Sequence, residues 1–135
     1  MAFDGITLSL VCNELNCLLS GGRIDKIHQP EQEEVVLQIR SQGRNYRLVL
    51  SAHPENSRLH VTKEPKLNPL SPPMFCMVLR KYLEGGKIIT FTQSDLERVI
   101  NLKILGSDEL GRHSEYHLLL EIMGKHSNLI LVDPA

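Results

Sequence analysis

Tryptophan is absent from this chain, and aromatic residues make up only 4% of it. A platform that stacks several bases of a single strand is therefore poorly supplied, and any bound nucleic acid would be held mainly by shape and phosphate contacts. Cysteine is scarce too: Cys12, Cys17 and Cys76 are odd in number and show no Cys-x-x-Cys spacing. That pattern excludes a disulfide framework and a cysteine zinc site, and predicts buried thiols of a reducing compartment on helices. No apolar run approaches the roughly 18 residues of a membrane span. The start, Met1-Ala2-Phe3-Asp4-Gly5, has neither the basic opening nor the apolar stretch of an export signal. A soluble, cytoplasmic protein without a membrane partner is expected.

Signatures of catalysis are missing as well. There is no G-x-x-x-x-G-K-[ST], G-x-G-x-x-G, H-E-x-x-H or G-x-S-x-G. Of the six histidines only His113 and His117 are close in sequence, and four residues along a strand separate them by about 13 Å, too far to share a metal directly. Glu115 and Glu121 read as a solvated strand edge, not as a general acid/base pair. We expect no enzyme activity, no metal and no cofactor. A strong charge of one sign is also lacking, the net charge being −1. The distribution is uneven, however: residues 23–81 hold ten Lys and Arg against six Asp and Glu, and the remainder is acidic. A local basic surface is thus compatible with a near-neutral chain.

What is present suffices for one domain: 135 residues, 41% of them hydrophobic, close a single core. Thr7 to Ser20 places Leu8, Val11, Leu15, Leu18 and Leu19 on one helical stripe and stops at Gly21-Gly22. Ser71 to Gly86 reads as a second helix, with Ser71 as N-cap, Pro72 and Pro73 in the first turn, and Gly85 or Gly86 ending it in a left-handed turn. Its apolar stripe is Phe75, Cys76, Val78, Leu79, Tyr82 and Leu83; Met77, Arg80, Lys81 and Glu84 form the opposite one. Period-two alternation marks strands at Val35–Arg40, Tyr46–Ser51, Arg58–Thr62, Lys87–Gln93, Arg98–Leu105, Ser114–Met123 and Asn128–Val132. Strands joined by short turns, without alternating helices, predict an α+β fold dominated by β: an antiparallel β-sandwich of seven or eight strands with two helices. No internal repeat, coiled coil or low-complexity tract is visible. Val132-Asp133-Pro134-Ala135 follows an apolar strand without a polar tail, as expected of a fragment of a longer protein.

Arg40, Arg47 and Arg58 alternate with core residues on three successive predicted strands, which would let them converge on one sheet face. Arg80 and Lys81 fall in the last turn of a helix, where its dipole already favours cations.

Six blocks in order resemble the amino-terminal domain of the NFACT family, also called fibronectin-binding protein A. They are Phe3-Asp4-Gly5, Asn13-Glu14-Leu15, Gly21 to Ile27, Ser51-Ala52-His53-Pro54, Pro72 to Gly86, and Glu121 to Asn128. The resemblance implies that residues 1–135 are one such domain, similar in fold to the amino-terminal domain of formamidopyrimidine DNA glycosylases. Glycosylase chemistry does not carry over, because those enzymes begin with Pro-Glu and here Met1 precedes Ala2-Phe3-Asp4.

By the same resemblance the chain would be part of a ribosome-associated quality-control factor. Its partners would be tRNA, alanyl-tRNA above all, and the stalled large ribosomal subunit carrying peptidyl-tRNA, and its role would be to support alanine tailing of the nascent chain. The family's Asp-Arg dipeptide for tRNA engagement matches Glu97 and Arg98, with glutamate replacing aspartate. Its Glu-Ile-Met block matches Glu121, Ile122 and Met123. Arg23, Arg80 and Lys125 are additional candidate RNA contacts. The rival reading is an adhesin that binds fibronectin or fibrinogen. A third, a DNA-repair enzyme, lacks a nucleophile.

Overall fold

A computed structural model describes residues 5–53, 58–63, 68–93, 98–122 and 128–132. Helix α1 (Gly5–Leu19) leads into strands β1 (Arg23–Glu31), β2 (Glu34–Ser41), β3 (Arg44–Ser51) and β4 (Arg58–Thr62). Helix α2 (Met74–Leu83) leads into β5 (Lys87–Gln93), β6 (Val99–Ser107), β7 (His113–Glu121) and β8 (Asn128–Val132). Each set of four strands is an antiparallel meander, and the two meanders join edge to edge between β1 and β5 in the order β4-β3-β2-β1-β5-β6-β7-β8. The α+β class, the antiparallel pairing, eight strands and two helices agree with the sequence. The sheet also curls back: Gln32 and Glu33 of the β1–β2 turn share a hollow with Asn128 and Leu129 of β8. One buried cluster accordingly draws on both halves and both helices.

The structure shows an internal repeat, at an offset of 64 residues, where none was expected from the sequence. Leu19-Ser20-Gly21-Gly22-Arg23-Ile24 and Leu83-Glu84-Gly85-Gly86-Lys87-Ile88 are the same helix-to-strand joint. The two joints bond to each other where the meanders meet: Gly21 N–H to Ile88 O, Ile88 N–H to Gly22 O and Ile24 N–H to Gly86 O, each 2.8 Å, and Gly85 N–H to Ile24 O, 2.6 Å. Each helix packs on the first strand of the other half, α1 on β5 and α2 on β1. Matching residues repeat the contact. The Cys12 thiol donates to Phe91 O (3.1 Å), and the Cys76 thiol lies 3.7 Å from Ile27 O. The Asn16 amide donates to Phe91 O (2.7 Å), and Arg80 Nε donates to Ile27 O (2.8 Å). Both first strands carry a register shift at the same relative place, between Ile24 and Lys26 and between Ile88 and Thr90.

Three expectations need correction. Ser71 does not cap α2: Pro73, extended at φ −61° and ψ 159°, is the N-cap residue and makes no side-chain cap, and its carbonyl accepts the Met77 N–H at 3.1 Å. Two successive prolines hold the chain extended past the serine, so the helix starts three residues later than its polar signal. Gly85 (φ +84°) ends it as expected. Cys17 is exposed, whereas Cys12 and Cys76 are buried. Residues 23–31, where Pro30 and two register shifts obscure the alternation, form a full strand. Among the described residues, no helix is long and apolar enough to cross a membrane.

Candidate functional site

Arg98 stands exposed just before β6. Its carbonyl accepts the Ile122 N–H at 2.8 Å, one rung beyond the Val99–Glu121 pair of the β6–β7 ladder. The ladder thereby sets Arg98 beside Glu121 and Ile122, two blocks far apart in the chain. Ile122 is buried to 1% exposure and anchors the rung in the core. Glu121 is half-buried and pairs in register with Asn128 of β8. An exposed guanidinium next to a fixed backbone rung suits recognition of a phosphate or a base edge, because its donors form a rigid fork. Glu97, Met123 and Lys125 lie outside the described residues.

The other cations named from sequence are placed elsewhere. Arg80 is half-buried; besides its bond to Ile27 O, its Nη2 lies 3.4 Å from His28 Nδ1, so it ties α2 to β1. Arg23 is exposed and its Nε donates to Asp25 at 2.8 Å.

Arg40, Arg47 and Arg58 do converge. Pairing puts Arg40 opposite Arg23 and Asn45, Gln38 opposite Lys26, Arg47 and so Thr62, Val36 opposite His28, Val49 and so His60, and Glu34 opposite Ser51 and so Arg58. Residues paired across antiparallel strands share a face, so all these side chains stand on the side of the sheet away from the core. Arg23 is opposite Lys87 as well, which carries the row of cations onto β5. Toward the middle of this face a hollow of about 230 Å³ opens, floored by Val36 and Val49 and walled by polar groups. At its far end Arg58 Nη2 meets the buried Glu34 carboxylate at 3.2 Å. Burial lowers the pKa of both histidines of the hollow, with Arg80 and Lys26 acting the same way on His28 and Arg58 on His60. Both rings are therefore neutral at pH 7 and offer one donor and one acceptor each. The three arginines are legible in the sequence but the hollow is not, because His28 and Pro30, which line it, belong to β1, whose alternation is obscured.

Comparison with known proteins places this geometry in a family. The family model described as NFACT N-terminal and middle domains matches residues 4–135. Rqc2 homolog RqcH of Bacillus subtilis is 47% identical over 135 residues, covering 100% of this chain and 24% of the relative. Ribosome quality control complex subunit NEMF of Homo sapiens is 26% identical over 131 residues, covering 97% of this chain and 11% of the relative. Among solved structures, the N-terminal domain of fibronectin-binding protein PavA from Streptococcus pneumoniae matches with a TM-score of 0.95 at 45% identity, over 99% of this chain and 51% of that one. The fibrinogen binding protein from Staphylococcus aureus matches with a TM-score of 0.89 at 42% identity, over 99% and 47%. The chain thus spans about a quarter of the length of its bacterial RqcH relatives. With the model matched over nearly every residue and the fold shared throughout, this chain belongs to the NFACT family.

Proposed function

We propose that this chain is the tRNA-engaging domain of a ribosome quality control factor. It binds without catalysing a reaction, acts in the cytoplasm on the stalled large ribosomal subunit with its peptidyl-tRNA, and supports alanine tailing from alanyl-tRNA. The names of the relatives, Rqc2 homolog RqcH and ribosome quality control complex subunit NEMF, support the setting. The observation that carries the reading is the backbone rung from Ile122 to Arg98, which brings the two blocks implicated by resemblance together beside an exposed arginine. Arg98 is the anchoring cation in this reading, and Glu97 orients it or accepts from a base. Arg98→Ala in the full-length protein is expected to abolish tRNA co-purification and alanine tails, and to lower the salt slope of tRNA binding by about 0.7–0.9 if the contact is to one phosphate. Unchanged tailing and co-purification would overturn the assignment.

A second reading, adhesion, draws on the names of structural relatives described as fibronectin- and fibrinogen-binding. Cell fractionation separates the two. Surface location without ribosome co-sedimentation favours adhesion.

A further inference from the structure

We infer that the outer face of β1–β3, bordered by β4 and β5, is a second RNA site, which takes an unpaired stretch of single-stranded RNA and seats one base over Val36 and Val49. This inference rests on the RNA-binding reading but uses none of the residues of the Arg98 rung.

Three cations stand in one cross-strand row, Arg40 opposite Arg23 and Arg23 opposite Lys87. Like charges directly opposed across strands cost stability, so such a row is relieved by an anion lying across it. Asp25, beside the row, is held on Arg23. Lys26 and Arg47 stand opposite Gln38 on its two sides and extend the positive strip toward the hollow. Among the described residues Arg40 and Arg47 make light ties, each 3.3 Å long, to Asn45 Oδ1 and to Lys63 O. Both can swing onto a phosphate without undoing the fold.

The hollow that continues the strip holds about 230 Å³, below the roughly 300–1,000 Å³ of pockets for drug-sized ligands and suited to a smaller planar group. Its floor is two valines. Its walls carry the amide of Gln38, which both donates and accepts, and the flat faces of the His28 and His60 rings and the Arg47 guanidinium, with Glu34 at the far end neutralised by Arg58. Histidine rings and guanidinium planes stack on unpaired bases, which suits a hollow with no phenylalanine, tyrosine or tryptophan among its described lining residues. A paired base cannot enter such a recess, so an unpaired segment is required. An acidic peptide would match the cation row but leave the flat walls without a planar partner.

Amide chemical shifts of the 135-residue chain, followed while a mixed-sequence eight-nucleotide single-stranded RNA is added, test the inference without any variant. Shifts are expected at Val36, Gln38, Arg47, Val49 and His60. Shifts absent from this face overturn it. The double variant Arg40→Ala with Arg47→Ala is expected to weaken that oligonucleotide at least tenfold and to reduce the salt slope by about 1.4, two single-strand phosphate contacts at about 0.7 each. Gln38→Ala should weaken binding with the slope unchanged. Affinity within twofold of the parent for the double variant overturns the proposal, as does an oligoglutamate of the same length that binds as tightly as the RNA. Arg98→Ala is expected to leave oligonucleotide binding intact. If Arg98→Ala abolishes tRNA binding while the Arg40/Arg47 double variant binds the oligonucleotide like the parent, the function stands and this inference fails; if the double variant loses the oligonucleotide while Arg98→Ala leaves tRNA binding unchanged, the Arg98 reading fails and this one stands.

Discussion

Asn16 sits on the half-buried flank of α1, and its side-chain amide meets the backbone of Phe91 twice, accepting from the N–H and donating to the carbonyl, both at 2.7 Å. The Ser20 and Thr90 hydroxyls donate to Asn16 Oδ1 at 3.1 and 3.2 Å. By helical period alone this residue lies largely off the apolar stripe, and nothing local distinguishes it from the exposed Asn13. Removing a partner from buried or half-buried polar groups costs about 1–3 kcal/mol. Asn16→Ala should therefore lower stability by about 2 kcal/mol in urea titrations, and Asn13→Ala by less than about 0.5 kcal/mol. The histidines of the sheet face give a second prediction at this scale. His28 and His60 have folded pKa values below the ordinary imidazole value, chiefly through burial, so below about 6.5 the unfolded chain binds more protons. Stability is then undiminished above pH 7 and declines as pH falls through 6.5 toward the folded values. His60→Asn should flatten that decline between pH 7 and 5, as read from denaturant midpoints.

Elements meet at places set by single small residues. A Cβ added at Gly106 of β6 would lie 2.1 Å from the Tyr82 carbonyl and 3.2 Å from the Tyr116 ring. The last turn of α2 thus rests directly on the β6 backbone, with the Tyr82 and Tyr116 rings tilted against each other at 5.5 Å. Backbone cannot yield as a flexible side chain can, and overpacking of this kind costs about 1–3 kcal/mol. Gly106→Ala should lower stability by about 3 kcal/mol, whereas Ser71→Ala, at the position whose sequence suggested a cap, should stay within about 0.5 kcal/mol. Thermal and urea unfolding of the two variants side by side check the contrast. The helix ends illustrate what was legible and what was not. Gly85 has one physical role, a left-handed backbone, and the sequence shows it. The start of α2 depends on where two prolines let the chain turn, and a serine nearby misleads.

Across the whole molecule, each half lends its helix to the other. Leu8, Leu15 and Leu19 of α1 lie in one cluster with Leu79 and Leu83 of α2 and with Ile27, Leu37, Phe91, Leu102 and Leu118 from both meanders. Neither half keeps a complete core without its partner, so the chain should unfold in one step. Tyr46 in the first half, and Tyr82 and Tyr116 in the second, report on both in the absence of tryptophan. Tyrosine fluorescence and far-UV circular dichroism should give the same urea midpoint, and two separated transitions would contradict this exchange of helices.

Local pattern determined the strand spans with clean alternation, the two helix stops at paired glycines and the basic bias of residues 23–81, because these depend on neighbours within one turn or one pleat. The sequence also carried the resemblance that singled out Arg98 and Glu121-Ile122-Met123. Only the tertiary structure decided that the meanders join through β1 and β5, that Arg98 and Ile122 share a rung, and that Arg40, Arg23 and Lys87 fall in one row. Those are pairings between segments distant along the chain, selected by which arrangement buries both apolar faces and both helices at once, and no local period encodes that choice.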